Sequence, residues 1–160
     1  MLELKEVDES FTDFILSLNN DPEFSKSFPR EGIITKEQHL NFLKHIKTKG
    51  DKYYIIIYNK MPIGTVSIYD IDNQHKRAEW GRFIIVKEYS MLGFNVAKMI
   101  LKIAFEELKL HKLYCTILST NTKVIQFNKL LGFKEEGILK DHIFKKGTYI
   151  NLHFLAKYKD

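Results

Sequence analysis

A chain of 160 residues with 44% hydrophobic content can bury one core of ordinary size but not two, so a single globular domain spanning 1–160 is expected. Its 25 Lys and Arg against 20 Asp and Glu leave a formal charge of +5, which suits a nucleic acid and an anionic small ligand equally. The lysines are spread from Lys5 to Lys159 without a dense block, and no stretch reaches the roughly 18 apolar residues of a membrane helix, so neither nucleic acid nor membrane is an expected partner. Met1–Glu6 enters an alternating pattern directly, with no basic segment and apolar core of a signal peptide, and a cytoplasmic location is expected. Cys115 is the only cysteine and lies in an apolar run, KLYCTIL, where a small buried side chain is the expected role. The six histidines form no His-x-x-x-His pair, so no metal is expected.

Leu2 to Val7 alternates as an edge strand does, and Asp8-Glu-Ser offers a cap for a helix through Phe11, Phe14, Ile15 and Leu18 that ends at Asn19-Asn-Asp-Pro22. An irregular segment follows, carrying Phe24, Phe28, Pro29, Arg30 and Gly32. Thr35-Lys-Glu-Gln38 is a capping box for a helix with Leu40, Leu43 and Ile46 on one side and Gly50 at its end. Tyr53 to Tyr58 and Ile63 to Tyr69 read as a hairpin around Asn59-Lys-Met-Pro62, with a polar tip at Asp70 to Lys76 and a further strand from Ala78 to Val86. A helix over roughly Asn95 to Leu108 presents Ala97, Leu101, Ala104 and Leu108, followed by a strand at Leu113 to Leu118. Thr120 can cap a helix from Asn121 to Leu131 closed by Gly132, and Phe133 opens another extended segment. Asp141 to Lys145 and Thr148 to Lys157 flank Lys146-Gly147 as a closing hairpin. The order is α/β (α+β), with a mixed, mostly antiparallel central sheet of about seven strands flanked by helices.

One segment carries a chemical signal of its own. A turn exposing backbone N–H groups at a helix N-terminus favours phosphate, and Ser90 to Ala97 is a candidate. Gly93 would take a positive φ there, while Phe94, Asn95, Val96 and Ala97 would present their amides. A plain strand-to-helix connection is the alternative reading.

With EYSMLGFNVAKMILKIA at Glu88–Ala104, Asn121 and LLGFKEEG at Leu130–Gly137, the chain resembles the GCN5-related N-acetyltransferase (GNAT) superfamily. The likeness is to the branch holding ribosomal-protein, polyamine and nucleotide-aminosugar acetyltransferases. Of the family's phosphate motif, Gln or Arg, two residues, Gly, one residue, then Gly or Ala, only Gly93 is kept; the flanking positions read Ser90 and Asn95. The resemblance implies acetyl-CoA as acetyl donor, no metal, and a sheet splayed between the fourth and fifth strands. It further implies that Phe83, Ile84, Ile85 and Val86 supply the edge pairing with the pantetheine arm, and that Asn121 helps hold that arm, a role compatible with capping the helix.

Acetyl transfer needs a neutral amine, so a general base is expected. The resemblance places Glu79 of AEWGRFI facing the acceptor; a structural ion pair with Arg77 or Arg82 is the alternative. Many family members use a Tyr to protonate the departing thiolate, and that position is Asn128 here, with Tyr149 on the closing hairpin as substitute. Phe28, Arg30, Trp80 and Arg82 are implied around the acceptor, and the two guanidinium groups would suit an anionic one. The spacing of TKEQHLNFLKHI and AEWGRFI is similar to nucleotide-linked amino-sugar acetyltransferases of the pseudaminic-acid type. The expected function is therefore direct acetyl transfer to a primary amine of a small acceptor, such as a nucleotide-linked amino sugar, by a monomer or homodimer. Acetylation of a protein N-terminus, a degenerate acyl-CoA-binding domain without turnover, and a nucleic-acid-binding module are the alternatives.

Overall fold

A computed structural model describes residues 1–160 as seven strands and five α-helices. The strands are β1 (Leu2–Glu6), β2 (Lys52–Tyr58), β3 (Met61–Asp72), β4 (Arg77–Ile85), β5 (Lys112–Leu118), β6 (Lys134–Lys145) and β7 (Thr148–Tyr158). They form one sheet in the order β1-β2-β3-β4-β5-β7-β6, antiparallel throughout except for the parallel β4–β5 pair. Turn chemistry sets both long hairpins. Asn59 and Lys60 take φ of 49° and 69°, and Lys146 and Gly147 take 50° and 75°, the paired positive values of a two-residue loop whose twist matches its strands. β6 is one strand from Lys134 onward, its ladder to β7 broken by register shifts, instead of two extended pieces.

The helices are α1 (Thr12–Asn19), α2 (Pro22–Ser25), α3 (Lys36–Lys49), α4 (Gly93–Lys102) and α5 (Thr122–Leu130). The capping box at Thr35 forms: its hydroxyl accepts from the Gln38 amide at 3.1 Å, while the Gln38 side chain accepts from the Thr35 amide at 2.9 Å. Gly50 closes α3 at φ 83°. The segment expected to be irregular contains α2, which Pro22 starts and Asp21 caps by accepting from the Glu23 amide at 2.9 Å. α4 begins two residues earlier than expected and passes into a π-helical turn at Ile103–Glu107. Its buried stripe is Val96, Ala97, Ile100 and Ala104, and Leu101 and Leu108 lie at its margin.

Seventeen buried residues form the main core, with Val66, Ile68, Ile100, Leu113 and Leu155 fully enclosed between the sheet and its helices. Each such side chain contributes about 1.5–3 kcal/mol of burial. β4 departs from regularity where it matters. Thr65 pairs with Ile84 but Ser67 with Gly81, so β4 carries one extra residue, and Arg82 within that stretch adopts φ 48°. A bulge of this kind bends its strand and increases its twist. Gly64 permits the close crossing opposite it: a Cβ there would sit 2.0 Å from the Ile84 carbonyl oxygen.

Candidate active site

The β4–β5 ladder lasts only three pairs, Arg77↔Lys112, Ala78↔Leu113 and Glu79↔Tyr114. Past Glu79 the bulged β4 turns away, and its backbone groups on that side face a cavity of about 500 Å³ instead of a neighbouring strand. Trp80–Ile85 line one side and Cys115–Leu118 the other, with Ser90, Gly93, Asn121, Lys123, Phe127 and Asn128 also on the lining. Of the expected edge, Phe83, Ile84 and Ile85 line the cavity. Val86 does not, because its amide donates to the Ile63 carbonyl at 2.8 Å and closes the strand.

The expected glycine turn is corrected by the backbone. Lys87–Leu92 is 3₁₀-helical with a kink at Tyr89 (φ −116°) and leads directly into α4, and Gly93 has φ −54°, an ordinary helical value that places no demand on glycine. A Cβ at Gly93 would meet only the Phe127 ring at 3.5 Å, an ordinary contact. Ser90 and Gly93 reach the cavity, whereas Val96 and Ala97 are core, Asn95 is exposed and Phe94 packs on Phe127 with centroids 4.8 Å apart. Lys123, in the first turn of α5, supplies a cation on the lining that sequence reasoning missed, because a lone lysine on a helix reads as a solvated charge.

Asn121 occupies the N-cap position of α5, but its side chain makes no capping hydrogen bond and its residue lines the cavity. Asn128 is 2% exposed; its Nδ2 donates to the Val124 carbonyl at 2.9 Å, and its Oδ1 has no partner. An orphaned buried acceptor is costly unless a ligand or water meets it. One of the two Nδ2 donors is spent on the helix, and an amide is too weak an acid to give up a proton, so the side chain can hydrogen-bond a ligand but cannot protonate one.

Glu79 sits where the two strands part. Thr116 Oγ1 donates to its Oε2 at 2.8 Å, and the Tyr69 hydroxyl also leans on this carboxylate. Burial pushes the Glu79 carboxyl above its usual range; the Thr116 and Tyr69 hydroxyls oppose the rise, and the Asp70 charge adds to it. Burial, reinforced by the Glu79 charge, likewise raises the Tyr69 phenol and keeps it protonated. Tyr69 and Thr116 line the cavity, so both hydroxyls stand between it and Glu79. Neither was singled out by sequence; Tyr69 is the β3 partner of Glu79, and Thr116 stands on β5 two residues beyond its partner Tyr114, relations only pairing register reveals. Cys115 is buried and free, its thiol pushed up to about 12 by burial and the nearby Glu79 charge, so it stays protonated.

The other wall comes from α2 and the loop after it. Phe24, Ser27, Phe28 and Pro29 line it, together with Tyr69 and Trp80. The β6–β7 hairpin holds this wall from behind: Lys145 Nζ donates to the Ser25 and Phe28 carbonyls at 2.8 and 2.5 Å, and the Lys146 amide donates to Glu31 Oε1 at 3.0 Å. The two arginines expected to converge on an anionic acceptor do not. Arg82 reaches the lining, yet its guanidinium donates to Asp51 Oδ2 at 3.2 Å and Ser67 Oγ at 3.1 Å and lies over the Tyr69 and Phe42 rings at 4.1 and 4.8 Å. Arg30 is off the lining and donates to the Asn19 carbonyl at 2.6 Å. Tyr149, expected as the substitute acid, is 63% exposed, packs on Phe144 and lies off the cavity. No three His, Cys, Asp or Glu side chains converge anywhere as a metal site would require, and no helix is long and apolar enough to cross a membrane.

The comparisons with known proteins agree with this geometry. The chain is 33% identical over 110 residues to the spermidine N(1)-acetyltransferase of Escherichia coli (strain K12), an alignment covering 68% of this chain and 59% of that protein. Over 154 residues it is 29% identical to the spermidine N(1)-acetyltransferase of Vibrio cholerae, covering 92% and 87% of the two chains. The crystal structure of spermidine N-acetyltransferase from Vibrio cholerae in complex with CoA and spermine superposes with a TM-score of 0.89 at 26% identity, over 98% of this chain and 95% of that one. Residues 5–154 match the family model described as the acetyltransferase (GNAT) domain, and the chain belongs to that family.

Proposed function

We propose that the protein is an acetyl-CoA-dependent N-acetyltransferase that transfers the acetyl group directly to a primary amine of a small acceptor. The observation that carries this reading is the short β4–β5 ladder, which opens a cavity directly beyond a partly buried carboxylate with a raised pKa. The residues fit coenzyme A: an unpaired β4 edge, an uncommitted Asn121 side chain, the orphaned Asn128 Oδ1 and the Lys123 cation all border one cavity. When bound, acetyl-CoA supplies the thioester acetyl group.

Within this arrangement Glu79 serves as general base, receiving the proton of the acceptor ammonium through the Thr116 or Tyr69 hydroxyl. The neutral acceptor nitrogen would then form the C–N bond as the C–S bond breaks and the sulfur departs with its electron pair, and the second N–H proton, made acidic by acylation, would pass to the departing thiolate or to water. Asn128 offers that sulfur no proton, and a thiol of unperturbed pKa ~8.5 can leave as thiolate. Asn128 Oδ1 is instead placed to orient an N–H donor or a water. Because Cys115 remains a protonated core thiol, the acetyl group passes without an acyl-enzyme.

The case for a nucleotide-linked amino sugar rested on two free guanidinium groups at the acceptor and loses that support, since Arg82 is held by Asp51 and Arg30 lies off the lining. A protein N-terminus calls for an open acidic groove, and no Asp or Glu lines the cavity. Incubation with labelled acetyl-CoA and a panel of amines, following both thiol release and acetylated product by mass spectrometry, tests the proposal. Acetyl-CoA-dependent product is expected; tight acetyl-CoA binding with no thiol release over the whole panel would instead establish a binding domain without turnover.

A further inference from the structure

The charges around the acceptor wall narrow the class of amine, an inference that rests on the acetyltransferase reading above. Arg82 and Lys123 are the only charged residues on the cavity lining, and both are cations. The carboxylates nearby point or pair away from it: Glu23 of α2 is off the lining and pairs with Lys26 at 3.3 Å on the surface. Asp51, with its side chain 1% exposed, holds Arg82; Asp70 pairs with Lys49 at 2.7 Å; Glu31 accepts from the Lys146 amide. Glu79 supplies one negative charge, and the reacting amine uses it.

Carbonyl oxygens of an irregular wall can also receive an ammonium group, but those of Ser25 and Phe28 already receive Lys145 Nζ. Lys145 is 7% exposed, so its charge is little screened behind the wall it pins. What the wall offers a ligand is apolar and aromatic: Phe24, Phe28, Pro29 and Trp80. A second ammonium on the acceptor would lose its hydration there, gain no counter-charge, and meet the field of Lys145.

We infer that the acceptor is a monoamine with an uncharged, apolar body of about ring size, and that polyamines are poor substrates of this chain. The amine enters as a single ammonium, Glu79 neutralises it, and the body packs against the phenylalanine wall. The two classes of acceptor are separated by the further ammonium charges of a polyamine and by the apolar body of the monoamine.

The full chain is assayed with 2-phenylethylamine and with spermidine at the same acetyl-CoA concentration, and binding of each amine in the presence of CoA is measured by calorimetry. An advantage of at least tenfold in kcat/KM for 2-phenylethylamine, with tighter binding, is expected. Ser27→Glu, which adds a carboxylate to the lining at the surface of the wall, is expected to narrow that ratio at least fivefold while the melting temperature stays unchanged. Equal or better use of spermidine by the wild-type chain overturns the inference and leaves the acetyltransferase reading intact. A folded Ser27→Glu variant with an unmoved ratio overturns its electrostatic basis. Failure to bind acetyl-CoA, or to acetylate any amine, sinks both readings together.

Discussion

Glu79→Gln separates the chemistry at this site from its architecture. Gln keeps the size of the side chain and one carbonyl oxygen to accept from Thr116 or Tyr69, but it cannot take a proton. At pH 7 an alkylamine of pKa ~10.4 is neutral in about one molecule in 2,500, so losing the base leaves turnover to that small fraction. A general base contributes about 10²–10⁴-fold, and with both relaying hydroxyls retained the expected fall in kcat/KM is about 10²–10³-fold. Steady-state thiol release measured from pH 6 to 10 provides the assay. Because burial raises the Glu79 pKa, the acid limb of the wild-type profile is expected above the usual glutamate value, and the deficit of the variant is expected to shrink as pH approaches the pKa of the amine. Stability gives an independent control. A carboxyl whose folded pKa is raised stabilises the fold fully below its unfolded pKa, and that contribution is lost as pH rises through the folded pKa. Replacing it by a neutral amide at pH 7 therefore leaves the melting temperature unchanged or higher. A loss of activity below about threefold would remove Glu79 from the role of base, and a collapse in melting temperature would make it a structural residue.

Three further outcomes follow from contacts in the site. Arg82→Ala strands the buried Asp51 carboxylate and is expected to cost about 3 kcal/mol in urea denaturation, whereas the Asp51→Asn, Arg82→Met double variant costs less; equal costs would refute the pairing argument. Asn121→Ala removes no cap bond, so stability should change by under about 0.5 kcal/mol while KM for acetyl-CoA rises about tenfold, the worth of one ligand hydrogen bond. A stability loss with unchanged KM would return Asn121 to a purely structural role. Cys115→Ala should keep its turnover, and the native thiol should resist Ellman's reagent until the chain is unfolded; abolished turnover in a folded variant would point to an acyl-enzyme after all.

Much of the architecture was legible because its causes are local. The Thr35-Gln38 capping box, the left-handed Gly50 and Gly132 at helix ends, and the apolar runs of β2 and β5 all form as their spacing requires. The parallel β4–β5 pair follows from a helix between two strands, since such a crossover brings the second strand back in the same direction. Cys115, in the middle of an apolar run, is buried for the same reason. The misread elements are those where a local signal had two outcomes: a glycine before a helix is as consistent with φ −54° as with a left-handed turn, and Asp21-Pro22 both ended α1 and started α2.

The sequence by itself determined the order of strands and helices, the position of Glu79 on the fourth strand and of Asn121 before α5, because periodicity, caps and turn residues act over a few positions. The tertiary structure alone decided where β4 leaves β5, which hydroxyls stand before Glu79, that Arg82 is held by Asp51 and that Arg30 lies off the cavity. Those outcomes depend on a bulge and on partners 31 and 37 positions apart in the chain, Arg82 with Asp51 just before β2 and Thr116 with Glu79 across β5 and β4, whose meeting is set by the assembled sheet and not by any neighbouring residue.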